Sequence, residues 1–170
     1  MADLVRLVDA EPDLVAELPD AQRELARRAL VAEVVTLEPG DDLREARAVA
    51  GRRSALGLLL IEGMILRHVA LAGRVGVEIL GPGDVVRPWE HAELASVPAE
   101  ISWRVHERTR LAVIDGDVHF ELFRFPPVLA QLTDRLSRRA NTLALNLALA
   151  RLPRVETRLL VLFWHLADRF

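Results

Sequence analysis

Cysteine is missing from the 170 residues. Its absence removes a disulfide framework, a thiolate zinc site, a cysteine-ligated iron–sulfur cluster and a cysteine nucleophile together. Lysine and tyrosine are missing as well, so all 22 basic residues are arginine. An arginine here therefore says little about bidentate recognition, because the chain never chooses between the two cations. No run of about 18 apolar residues is available to span a bilayer, and no basic-then-apolar leader opens the sequence. A cytoplasmic protein with no membrane partner is expected.

Hydrophobic residues make up 51% and charged ones 28%, which excludes a disordered tail and suits one compact fold. The net charge of −3 is unevenly spread. Residues 131–170 hold seven arginines against three acids, whereas residues 1–130 hold 15 against 22. The long N-terminal part is thus no obvious nucleic-acid surface.

Residues 11–30 read as helical, with Pro19-Asp20 restarting the pattern as helix-entry residues do. Val31–Leu37 is β-rich and runs into Glu38-Pro39-Gly40-Asp41. Proline before glycine suits the two central positions of a type II turn, and the same punctuation returns at Leu80-Gly81-Pro82-Gly83-Asp84. Between these turns, glycines bound the short apolar runs Gly57–Glu62, Met64–Ala72 and Val75–Leu80. Two more strands are predicted at Ile101–His106 and Arg108–Ile114, with a polar loop over Pro88–Ala99. The whole reads as an antiparallel roll of hairpins.

After Asp115-Gly116 the pattern turns helical. Val118–Phe125 predicts a short helix that Pro126-Pro127 closes, and the pair can open the next helix at its first turn. A long helix follows from Val128 to about Leu152. Leu129, Leu132, Leu136, Ala140, Leu143, Leu147 and Ala150 form a seam close to coiled-coil spacing, with Arg139 and Asn146 beside it. Over residues 143–152 the helix is apolar almost all round, so it must be covered on more than one side. An ordinary core helix meets that requirement, and so does one shared with a second copy. Pro153 interrupts the pattern, and Val155–Phe170 predicts a further helix that stops without a turn or polar cap, as in a chain cut short.

The chemistry-bearing residues are sparse. His68, His91, His106, His119 and His165 are scattered, and no His-X-His pair occurs. A metal enzyme built on a cupin-like roll would need such a pair with a later histidine or carboxylate. Glu90, His91 and Glu93 cluster in the polar loop at a spacing that solvated polarity explains. No Ser-His-Asp elbow, glycine-rich phosphate loop or paired-carboxylate motif is present, so no enzyme, catalytic residue, metal or cofactor is expected. Trp89 and Trp103 suit either a core or the wall of a small pocket.

The order of parts resembles the N-terminal sensor and dimerisation region of the bacterial Crp/Fnr (catabolite-activator) regulators. The matching text is Val34–Asp41, Leu56–Gly63, Ile79–Val86, Trp103–Ile114 and Leu132–Arg158. The resemblance implies an α+β fold: a double-stranded β-helix (jelly-roll) of the cyclic-nucleotide-binding type, flanked by helices and followed by a long dimerisation helix. It implies a roll over residues 1–125 and a dimerisation helix with the start of a linker over 126–170. A helix-turn-helix domain reading DNA would follow Phe170, so this chain would sense or dimerise and not read DNA itself.

In nucleotide-binding members of the family, a Gly-Glu pair takes a ribose hydroxyl and a later Arg-Ser pair takes the cyclic phosphate. Here the corresponding stretch is Gly83, Asp84, Val85 and Val86, with Arg87-Pro88 in place of Gly-Glu and Ala99-Glu100 in place of Arg-Ser. The polar residues that touch the purine align with Leu143-Ala144. Cyclic-nucleotide binding is therefore not expected. If an effector exists it sits near Gly83–Arg87, Trp89 and Glu100, and its identity stays open. The remaining expectation is a homodimer with an isologous contact along the seam. Competing readings are a cupin-like metal enzyme and a stand-alone partner-binding module.

Overall fold

The computed structural model describes residues 3–43, 56–89 and 99–169. Glu90, His91 and Glu93 lie outside the described residues, as does most of the polar loop. The chain opens with β1 (Asp3–Arg6), α1 (Leu7–Ala10), a 3₁₀ turn (Pro12–Val15) and α2 (Asp20–Ala29). The roll comprises β2 (Val31–Leu37), β3 (Gly57–Glu62), β4 (Ile65–Leu71), β5 (Arg74–Leu80), β6 (Val85–Val86), β7 (Glu100–Val105) and β8 (Thr109–Ile114). Three helices complete it: α3 (Gly116–Leu122), α4 (Pro126–Ala150) and α5 (Val155–Arg169).

The strands form two antiparallel sheets, one ordered β1-β2-β8-β3-β6 and the other β5-β4-β7. Successive side chains on a strand point to opposite faces, and the two middle strands of the larger sheet show the consequence. Leu58 and Leu60 of β3, with Leu111 and Val113 of β8, face the other sheet and meet Leu37, Ile65, Leu80 and Trp103 inside the roll. Leu59, Ala112 and Ile114 face the opposite way. They meet Leu7, Leu14, Leu30, Leu122, Val128 and Leu132 under the helices. One sheet thus carries two cores, which accounts for its near-continuous apolar text.

Both Pro-Gly-Asp turns form alike. Gly40 and Gly83 adopt φ +95° and +87°, the left-handed value a type II turn needs at its third residue. Asp41 N donates to Glu38 O and Asp84 N donates to Gly81 O, at 3.0 and 3.1 Å. Each aspartate carboxylate in turn accepts from the first residue of its turn, from Glu38 N at 2.8 Å and from Gly81 N at 2.9 Å. Proline, glycine and aspartate therefore each have a separate task.

The strand ranges read from sequence hold within a residue or two, and two short strands are additional. β1 pairs with the edge of β2, and β6 pairs with Leu58–Leu59. The short helix starts earlier than expected because the Asp115 carboxylate accepts from Asp117 N and Val118 N, an N-cap. The long helix takes Pro126 and Pro127 into its first turn, the opening position that the pair suits because no amide hydrogen is needed there.

Candidate functional site

The junction between the roll and α4 is where charge is buried. β4 lies between β5 and β7, with Arg67 opposite Glu78 on one side and Trp103 on the other. All three share the inward face with Ile65 and Leu80. Arg67 Nη1 donates to Glu78 Oε2 at 3.0 Å, and its guanidinium carbon lies 5.6 Å from the Trp103 ring centre, a cation–π distance. From the other side, α4 delivers Arg139. Its Nε donates to Glu78 Oε1 at 2.7 Å and its Nη2 to Oε2 at 3.0 Å, a two-point fork. Glu78 is only 6% exposed.

Burial alone would push the Glu78 carboxyl up, but the hydrogen bonds and charges of Arg139 and Arg67 together hold it below the usual carboxylate range. The group is therefore a carboxylate clamped between two cations.

Two arginines on successive turns of α4 also hold the segment that enters β6. Arg135 Nη1 donates to Gly83 O at 3.1 Å and pairs with Glu11 at 2.9 Å. Arg139 Nη1 donates to Val85 O at 3.2 Å. The stretch Gly83–Val86 thus touches the long helix through its own backbone carbonyls. Arg87 follows directly, with its Cγ 3.4 Å from where a Cβ on Gly57 would stand. Trp89 packs against the roll core and Trp103 belongs to it, so both tryptophans fill space there. Glu100 is exposed at the start of β7, paired across the ladder with Ala70.

One ionic contact of α4 with its own roll uses Arg139, a side chain read from sequence as standing beside the seam. Arg139 turns to Glu78. Leu132 is 1% exposed in the helix-covered core, and Leu136 packs against the same core. Leu129 and Asn146 are half-buried. Ala140, Leu143, Leu147 and Ala150 are exposed, and Leu145 joins them. The apolar surface left open thus lies in the second half of the helix.

Glu78 and Arg67 were not singled out from sequence. The signal was there: with Leu80 and Ile65 inside, a two-residue period puts Glu78 and Arg67 inside too. Buried charges at such positions need partners, and Arg139 supplies one. His106 is exposed, and His68 lies on the strand face opposite Arg67. Among the described residues no three His, Cys, Asp or Glu side chains are placed to hold a metal ion.

No family model matches the chain, and no curated protein matches it in sequence. Solved structures do match. The chain is similar to the catabolite activator protein of Thermus thermophilus at 21% identity and a TM-score of 0.50, over 81% of this chain and 62% of that one. It is similar to a doubly substituted CooA from Carboxydothermus hydrogenoformans at 12% identity and a TM-score of 0.53, over 91% and 95%. A third likeness, at 14% identity and a TM-score of 0.54, is to a protein of Eubacterium rectale assigned to the Crp/Fnr transcriptional regulators, over 94% and 72%.

These likenesses define the fold class: a Crp/Fnr-like cyclic-nucleotide-binding fold, mixed helix and antiparallel roll. The chain spans about 62% of the length of the Thermus catabolite activator protein. No helix among the described residues is long and apolar enough to cross a membrane.

Proposed function

We propose that this chain is the sensor and dimerisation part of a Crp/Fnr-like transcriptional regulator, cytoplasmic, homodimeric and without catalytic activity of its own. DNA would be read by a further domain beyond residue 170. Residues 1–125 would form the sensing roll and 126–170 the dimerisation helix with the linker start. The carrying observation is α4: Val128 and Leu132 in its first half enter the chain's own core, while Leu143 and Leu147, one turn apart in its second half, are 38% and 61% exposed. Exposed apolar side chains in a row on one helix mark an interaction surface. A second copy brings the same surface and closes a two-fold contact.

The test follows from that exposure. Leu143→Asp with Leu147→Asp, both outside the chain's own core, is expected to convert a dimer into a folded monomer by size-exclusion chromatography with light scattering. Helix content by circular dichroism should stay unchanged. A wild-type monomer, or a variant that remains dimeric, defeats the dimer reading.

The residues at the roll–helix junction do not fit a cyclic nucleotide. No arginine lies between Arg87 and Arg104, Glu100 offers an anion where a phosphate would need a cation, and Leu143-Ala144 offers the purine no polar contact. Arg67 and Arg139 are engaged by the chain's own carboxylate, Glu78. Adding cyclic AMP at about 1 mM is expected to leave the melting temperature unchanged, since only ligands that bind the native state raise it. A rise of several degrees would overturn this part of the proposal.

A further inference from the structure

Beside the roll–helix junction, a cleft of about 340 Å³ lies between β5, the last turns of α4, and α5. That volume falls within the range of small-molecule sites. Ile79 lines it from the sheet, Leu149 from α4, and Leu159 and Leu162 from α5. The wall is aliphatic and presents no Phe, Trp or Tyr ring to stack on.

Four polar side chains break this wall. Asn146 Oδ1 and His165 Nε2 are buried and have no hydrogen-bond partner. Buried polar atoms cost free energy until something satisfies them. Arg158 lines the same cleft. Among the described residues its guanidinium makes one long hydrogen bond, 3.4 Å to Ala150 O, and no ion pair. The one carboxylate lining the cleft, Glu78, is already held by Arg67 and Arg139. Arg158 and His165 stand two turns apart on one face of α5, about 10 Å along its axis.

We propose that this cleft binds a medium-chain aliphatic carboxylic acid carrying a second polar group at its far end. The carboxylate pairs with Arg158 in a charge-assisted fork. The alkyl chain lies among the leucines, and the distal hydroxyl or amide reaches Asn146 and His165. Because the walls come from β5, α4 and α5 together, such a ligand fixes α5 against the roll. The cleft shares Asn146 and Ala150 with the seam, but the dimer test replaces only Leu143 and Leu147, which do not line it, so titration and light scattering fail separately.

Isothermal titration of the chain with 8-hydroxyoctanoate tests the site directly. Saturable one-to-one binding is expected. Arg158→Gln, and the uncharged 8-hydroxyoctanamide on the wild type, should each weaken it by about tenfold or more through loss of the ion pair. Octanoate should bind more weakly than the hydroxy acid, because Asn146 and His165 then stay unsatisfied. Leu162→Trp should abolish binding by filling the cleft. Should that variant fold poorly, the His165 ring proton signal in the wild type reports the same event, shifting on titration with the hydroxy acid. No saturable binding at millimolar ligand overturns the site. So does equal affinity for the acid, the amide and the Arg158→Gln variant.

Discussion

Replacing Glu78 by glutamine is expected to lower the stability of the chain by about 3–5 kcal/mol at neutral pH, the range for breaking a buried ion pair from one side. The size follows from what remains. Arg67 and Arg139 both point at this carboxylate and are each 15% exposed at the side chain. A glutamine keeps the shape and one acceptor oxygen, but it leaves two half-buried cations facing each other. Arg139 would also lose one tooth of its fork, and with it part of the tie between α4 and β5.

The pH dependence has a definite sign. The folded-state pKa of Glu78 lies below the usual 4.5, so near and below that value the folded chain binds fewer protons than the unfolded one. Its stabilisation is complete above the ordinary carboxylate range and is lost as the pH falls through the lowered value. Urea denaturation at neutral pH should show the full gap between wild type and Glu78→Gln, and the gap should narrow steadily below pH 4.5. A gap that is small at neutral pH, or independent of pH, would show that the clamp contributes little.

Gly63→Ala is the second large effect, with an expected loss of roughly 2–5 kcal/mol from left-handed backbone strain and overpacking combined. Gly63 sits at φ +92° in the turn from β3 to β4. A methyl group there would stand 2.3 Å from Arg108 O, 2.5 Å from Thr109 Oγ1 and 2.7 Å from Thr109 Cα. Two of these three are backbone atoms at the head of β8, which pairs with both β2 and β3. The strain therefore spreads into the centre of the larger sheet. Gly40→Ala is the matched control: φ is +95°, yet nothing lies within 4 Å of the added carbon. It should lose only the backbone part, about 1–2 kcal/mol. Equal losses in chemical denaturation would rule out the steric share.

Much of the fold was legible because its signals are local. The two Pro-Gly-Asp turns carry all their chemistry within four residues, and the apolar runs between glycines are too short for helices. β1 escaped because four residues of mixed polarity, Asp3–Arg6, hold no period of their own; pairing with β2 makes them a strand. β6 escaped because two residues cannot show a pattern.

The long helix was legible as a helix but not in its loyalties. A heptad seam records which residues are apolar together, not whose core they enter. Leu132 and Leu136 enter the chain's own core, whereas Leu143 and Leu147 do not. The clamp at the junction was the least visible feature. Its members lie on two strands and a helix, and Glu78 and Arg139 stand far apart in the chain. Only the inward phase of β4 and β5 hinted that their charges must find each other.

The grip of Arg135 and Arg139 on Gly83 and Val85 acts on carbonyl groups that every residue type possesses. The grip itself uses no side chain of that stretch, whose residues are left to the turn and the two cores, so a shift of the main chain there is passed to α4. A helix rises about 1.5 Å per residue, so Ala150 stands roughly 20 Å beyond Arg135. A tilt of about 5° at the fulcrum would carry that distant tip by roughly 2 Å, geometry by which an ångström-scale displacement beside the roll becomes a visible swing where α5 begins.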